Sequence, residues 1–351
     1  MDRRQLIAGL PLFGLPLAAL PFAGLGARAL AQEPAAAPPR PAPRPPIPLV
    51  ETPALPWTIV AEGLHFPEGP VVMKDGSLLF VQIEAKQVSR LTADGKVETV
   101  AQLEGGPNSL CVGPDGAVYI ANNGGRFSFA VRNGFNSPGA PPPGFNGGGL
   151  IQRLDLKTRK VTTVYDSIDG HPLTAPDDLI FDKQGGIWIT ELGVRPGTGA
   201  IYYAPKLGAP LTVARPGMSG PNGIGISPDG KLLHISMGSN LLAFDIDGPG
   251  KLSTRTYPDG VQGPLHENSG ADSLKLQADG KVCVCSLFRP GGITIIDRKG
   301  QAEFLGFPDR FVCNLAFGGK DMADCWLMLS GLGKIAKVRW PTPGQTPFYR
   351  A

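Results

Sequence analysis

Six polar residues recur at one place in a repeat: Glu68, Asn108, Asp177, Asn222, Asp272 and Asn314 each stand seven positions before the head of a turn. The turn heads are Asp75, Asp115, Gln184, Asp229, Asp279 and Asp321, and four of them begin an Asp-Gly pair. Three carboxylates and three amides at equivalent places form an all-oxygen set of donors. Calcium takes about six to eight oxygen ligands in flexible geometry. Zinc takes His or Cys, and neither stands at these positions. Acids gathered at one site repel one another unless a cation lies between them, so the pattern points to a divalent cation, calcium first.

The elements that must position these residues are strands. Successive anchors are 40, 69, 45, 50 and 42 residues apart, lengths that suit one four-stranded sheet per repeat. In the first repeat, 69–74, 78–82, 88–92 and 97–101 read as strands, with Asp75-Gly76 and Asp94-Gly95 as hairpin turns. The fold predicted is all-β: a six-bladed β-propeller with four-stranded antiparallel blades. The last repeat lacks a fourth strand, and the segment Trp57 to Ala61 has the character to supply it and close the ring. The polar residues then share one rim and the Asp-Gly turns the other. The long gap contains a Gly-, Pro- and Asn-rich insertion at about 124–149, expected to overhang the polar rim as a lid.

Composition agrees with many turns and a large core: 351 residues, 42% hydrophobic, 48 Gly and 37 Pro. Residues 1–31 read as an export signal, with Arg3-Arg4 before an apolar run and Ala29-Leu30-Ala31 as a cleavage site. The tandem arginine resembles a twin-arginine signal, which implies a periplasmic or secreted protein. Residues 32–56 are a Pro/Ala-rich tether, and the propeller should occupy 57–345. The net charge of +3 is carried by the first 50 residues, so the domain shows no nucleic-acid footprint. Pro11, Pro16 and Pro21 disfavour a stable membrane span in the apolar run. Five cysteines are odd in number and lack Cys-x-x-Cys spacing, which favours buried free thiols. Cys313 and Cys325, on neighbouring strands, are the one pair placed to bridge.

The segments Phe66-Pro67-Glu68-Gly69-Pro70, Pro176-Asp177-Asp178-Leu179, Pro221-Asn222-Gly223-Ile224 and Ala271-Asp272-Ser273-Leu274 resemble the signature strands of the senescence marker protein, gluconolactonase and luciferin-regenerating enzyme superfamily. The resemblance covers about residues 57–340. It implies a calcium-dependent propeller that opens a lactone or related ester, with Glu68, Asn222 and Asp272 as metal ligands. It also implies Asp177 as a further ligand or substrate contact, and Asp272 as the acid or base. Sugar-lactonase relatives carry Arg two residues before the Asp177 position, where this chain has Ala175, and many have Gly where it has Ser273. These departures point to a lactone other than a sugar lactone.

On this reading Asp272 is the first choice of base and Asp177 the second, while Asn108, Asn314, His65 and Arg195 are candidate substrate contacts. His171, His266, Arg126 and Arg289 fall near the same rim. Trp188, Tyr202, Tyr203 and Trp326 are expected to pack between blades. Two rival functions use the same architecture: a phosphotriesterase on the same metal, and a non-catalytic ligand-binding propeller.

Overall fold

The computed structural model describes residues 49–51, 55–254, 261–265, 269–288 and 291–351. The expected signal peptide, most of the tether, His266 and Arg289 lie outside the described residues. Among the described residues there is no helix, and the strands form six four-stranded antiparallel blades. The first blade is Pro67–Val72, Leu78–Gln82, Gln87–Leu91 and Val97–Gln102. The second begins at Pro107–Val112, the third at Pro176–Phe181, the fourth at Pro221–Ile226, the fifth at Ser269–Leu276 and the sixth at Val312–Gly318. Trp57–Ala61 pairs antiparallel with Lys334–Arg339 and completes the sixth blade, closing the ring as the sequence implies. Beyond the expected four strands, Leu49–Glu51 pairs in parallel with Ala302–Gly306 at the outer edge of the fifth blade.

Alternating apolar residues on the second strands fill the space between neighbouring blades. Leu78 and Phe80 of the first blade meet Trp326, Met328 and Ile335 of the sixth. Trp188 packs on Tyr203 at 4.4 Å between centroids in a cluster with Ile224 and Ile235 of the fourth.

The repeat has a geometric cause. In every inner strand the pairing with the second strand slips, in five of them at or next to the polar position: between Glu68 and Val71, Pro107 and Ser109, Pro176 and Leu179, Pro221 and Ile224, and Ala271 and Leu274, and in the sixth between Val312 and Asn314. A bulge bends its strand and re-aims a side chain, which turns each polar group from the blade face toward the axis.

The sixth blade departs from the expected register. The extra residue in the second blade is Asn108, but in the sixth it is Cys313, not Asn314. The last inner strand stays paired as far as Gly318, five residues past its bulge, whereas Val112 lies four past Asn108. Counting seven back from Asp321 therefore lands one residue late.

The opposite mouth is sealed by the C-terminal segment. The Gln345 N–H donates to the Leu276 carbonyl at 2.8 Å, and Lys74 N–H to the Ala351 carbonyl at 2.8 Å. Beneath the polar rim the channel narrows to an apolar cavity of about 130 Å³ lined by Leu110, Leu179, Leu274 and Phe348 among others.

Candidate metal centre and active site

The inner strands bring the polar residues together in three hydrogen-bonded sets. Asn314 Nδ2 donates to Glu68 Oε2 at 2.7 Å, and the Gly69 N–H donates to the same oxygen. Asn108 Nδ2 donates to Asp177 Oδ1 at 2.9 Å, and Asn108 Oδ1 accepts from Asn123 Nδ2 at 3.0 Å. Asp272 accepts hydrogen bonds from the Asn222 side chain and the Cys313 thiol. One ligand atom each of Glu68, Asp272 and Cys313 lies within 4.8 Å of the others.

Burial and charge set the character of the group. Glu68 and Asp177 are buried, whereas Asp272 and Asn222 are partly exposed and so form its open face. Burial first, then the neighbouring Asp272 carboxylate, pushes Glu68 well above the usual carboxylate range. Asp177 is raised in the same way by burial, followed by Asp272, Asp178 and Glu68. Burial lifts Asp272 to about 6 against the hydrogen bonds from Cys313 and Asn222. Four acids, Glu68, Asp177, Asp178 and Asp272, thus act on one another. Such a group fits a cation: two of its oxygens, Asp177 Oδ2 and Asn222 Oδ1, are buried with no hydrogen-bond partner.

The other expected contacts fall differently. Asn314 is fully buried with both amide ends engaged, since Leu315 N–H donates to its Oδ1 at 2.9 Å, and so it braces Glu68. His65 is largely exposed, with Nδ1 3.5 Å from Glu84 Oε2. Arg195 lies exposed on the turn before Gly199–Ala204, where its carbonyl accepts from Thr198 Oγ1 at 2.8 Å. His171 is exposed in a short hairpin. The five cysteines are free, so Cys313 and Cys325 are not bridged.

Several residues at the site escaped the sequence reading. Thr190 Oγ1 donates to the Asn222 carbonyl at 2.6 Å, Ser236 Oγ to the Asp272 carbonyl, and Ser330 Oγ to the Pro67 carbonyl at 2.6 Å. Each hydroxyl ties a second strand to the bulge of the next blade, which fixes the spacing of the anchors. Hydroxyl residues are common in strands, and only their shared place beside the bulges marks them. Asn123 carries a second signal: its Oδ1 accepts from Gly125 N–H and Arg126 N–H, both at 3.0 Å, and so holds the start of the insertion.

The insertion is partly ordered as a hairpin, Phe129–Arg132 with Phe135–Pro138. It docks on the first and sixth blades: Phe129 meets Phe66 at 5.0 Å, and Asn136 N–H donates to the Gly331 carbonyl at 2.8 Å. Beside Asn123 a pocket of about 330 Å³ opens between the insertion and the rim, walled by Ile83, Phe127, Phe129 and Phe145. Arg126 has its guanidinium 5.8 Å from the Phe127 centroid and 5.9 Å from that of Phe145, and its Nε is buried without a partner.

Residues 66–330 match the family model described as SMP-30/Gluconolactonase/LRE-like region. The chain belongs to that family. A gluconolactonase of Zymomonas mobilis is 25% identical over 324 residues, 82% of each chain. Two solved structures share the fold of this SMP-30/gluconolactonase member. Regucalcin of Agrobacterium tumefaciens, described as a calcium-binding protein, has a TM-score of 0.66 at 17% identity, covering 87% of this chain and 99% of its own. A gluconolactonase of Xanthomonas campestris has a TM-score of 0.62 at 18% identity, covering 85% and 99%. The family match includes five of the six bulge positions from Glu68 to Asp272, and Cys313 as well.

Proposed function

We propose that this family member is a metal-dependent hydrolase that opens a lactone by attack of water, with the metal held by Glu68, Asp177, Asn222 and Asp272. The observation that carries this reading is the convergence of mutually repelling carboxylates with two unpartnered buried oxygens on one open rim. The oxygen donors are those that suit calcium. A divalent cation bound there supplies the positive charge that polarises a lactone carbonyl.

The chain's own residues supply the proton chemistry. Asp272, partly exposed on the open face, takes a proton from the attacking water as its oxygen bonds to the carbonyl carbon. When the ring C–O bond breaks, the same carboxyl returns that proton to the leaving alkoxide, giving the hydroxy acid. Asn222 holds the Asp272 carboxylate in orientation by a side-chain hydrogen bond. Asn108 holds Asp177, the second candidate base, and Asn314 holds Glu68, so both are fixed before substrate arrives.

The pocket favours a lactone bearing an apolar substituent over a polyhydroxylated sugar lactone. Ala175 is fully buried, its N–H donating to Glu191 Oε1 at 2.6 Å, so no side chain reaches out from that position for sugar hydroxyls. The pocket beside Asn123 has aromatic walls at Phe127, Phe129 and Phe145, with Glu84 and Lys86 also on its lining. His65 and Arg195 stand farther out and would meet only a larger substrate.

Lactones with alkyl or aryl substituents and a phosphotriester, assayed side by side, test the assignment. We expect the highest kcat/KM on a substituted lactone. Higher efficiency on the phosphotriester would overturn the preference for acyl chemistry while leaving the metal centre in place.

A further inference from the structure

Cys313 has no place in an oxygen-only centre, yet it occupies the sixth bulge, the position that in the other blades presents Glu68, Asn108, Asp177, Asn222 and Asp272. Its Sγ belongs with Glu68 and Asp272 to the group whose ligand atoms all lie within 4.8 Å of one another. The side chain is 1% exposed, and its polar neighbours are the Asp272 carboxylate and the Ser330 hydroxyl. A second observation beside that group points to a ligand: Asp177, itself 1% exposed, keeps Oδ2 without a partner and interacts electrostatically with Asp272 and Glu68. By contrast, Cys283 and Cys325 sit in an apolar cluster between blades.

We propose that Cys313 is a metal ligand, its sulfur joining the Glu68 and Asp272 carboxylates, and that this mixed donor set makes the centre favour a zinc- or cobalt-class ion over calcium. The inference rests on the reading that the rim binds a divalent cation, and it names the class of ion. Thiolate sulfur binds borderline and soft ions well and adds little for calcium. On coordination the thiol proton passes to solvent and the sulfur lone pair forms the bond to the ion. Asn222 Oδ1 and Asp177 Oδ2 complete an oxygen-rich remainder.

The full chain, stripped with a chelator and titrated with cobalt(II), gives the test. We expect a thiolate-to-cobalt charge-transfer band in the near ultraviolet that saturates at a single equivalent. Cys313→Ser should lose the band while still binding cobalt by calorimetry. Its zinc affinity should fall roughly tenfold to a hundredfold, with calcium affinity moving less than about threefold. Cys285→Ser, which alters a thiol on the neighbouring strand, should keep the band, and Cys313→Asp, which restores an oxygen donor, should shift the preference toward calcium. Cobalt binding without a band, or a band that survives Cys313→Ser, overturns the proposal and leaves the metal-dependent reading standing. Failure of cobalt, zinc and calcium alike to bind overturns both.

Discussion

Asp272→Asn should lower kcat/KM for the preferred lactone by about a thousandfold, the scale lost with a positioned general base. Asn keeps the shape and one acceptor oxygen but cannot take a proton. The effect on stability should run the other way. Asp272 stands among Glu68, Asp177 and Asp178, and it raises the proton affinity of both Glu68 and Asp177. Removing one of these charges relieves repulsion in the metal-free protein, so the chelated variant should melt no lower than chelated wild type. An unchanged kcat/KM would remove Asp272 from the chemistry. Asp177→Asn is the companion measurement: with Oδ1 already accepting from Asn108, it should cost less, about tenfold to a hundredfold. A larger loss there than in Asp272→Asn would transfer the base to Asp177.

Gly69→Ala should destabilise the fold by about 3 kcal/mol, combining a strained backbone with overpacking. Gly69 has φ +54, and a Cβ there would stand 2.5 Å from Ser109 Cα and 2.9 Å from the Asn108 carbonyl oxygen. Both obstacles are backbone atoms of the next inner strand, which cannot swing aside as a side-chain tip can. The same residue gives its N–H to Glu68, so a shifted backbone should also weaken metal binding. Denaturant unfolding measures the first effect and calorimetry the second. A loss under about 1 kcal/mol would mean that the inner strands pack more loosely than this geometry requires.

Much of the architecture was legible because turn chemistry is local. Asp-Gly pairs after Val72, Val112, Ile226 and Leu276 mark where inner strands end, and counting back from them finds the polar position in four blades, with Gln184-Gly185 giving a fifth. The count fails in the sixth because the length of pairing beyond a bulge is decided by neighbouring strands. That one-residue difference hid Cys313, since a cysteine in a run such as Val312-Cys313-Asn314-Leu315 reads as core. The thiol beside Glu68 and Asp272 is thus concealed by the same one-residue shift. Thr190, Ser236 and Ser330 were hidden for a related reason: their partners are carbonyls on other blades, a relation no sequence spacing encodes.

The insertion shows the same division. Its Gly and Pro content places it outside the blades, but the aromatic residues that dock it, Phe129 and Phe135, carry no periodicity to say what they meet. Arg126 was visible as a rim cation. Its buried Nε and the flanking Phe127 and Phe145 rings required the folded insertion. His65 and Arg195 illustrate the converse: sequence proximity to an anchor put them at the rim, while their exposure sets them apart from the buried carboxylates.

On the proposed mechanism, hydrolysis depends on a divalent cation held at this rim. The most direct measurement is lactone hydrolysis by the full chain as isolated, after exhaustive chelation with the metal content checked by elemental analysis, and after divalent ions are added back. The account predicts loss of turnover on chelation and recovery on addition of an ion that the same sample binds. Full turnover by protein shown to be free of metal would contradict it.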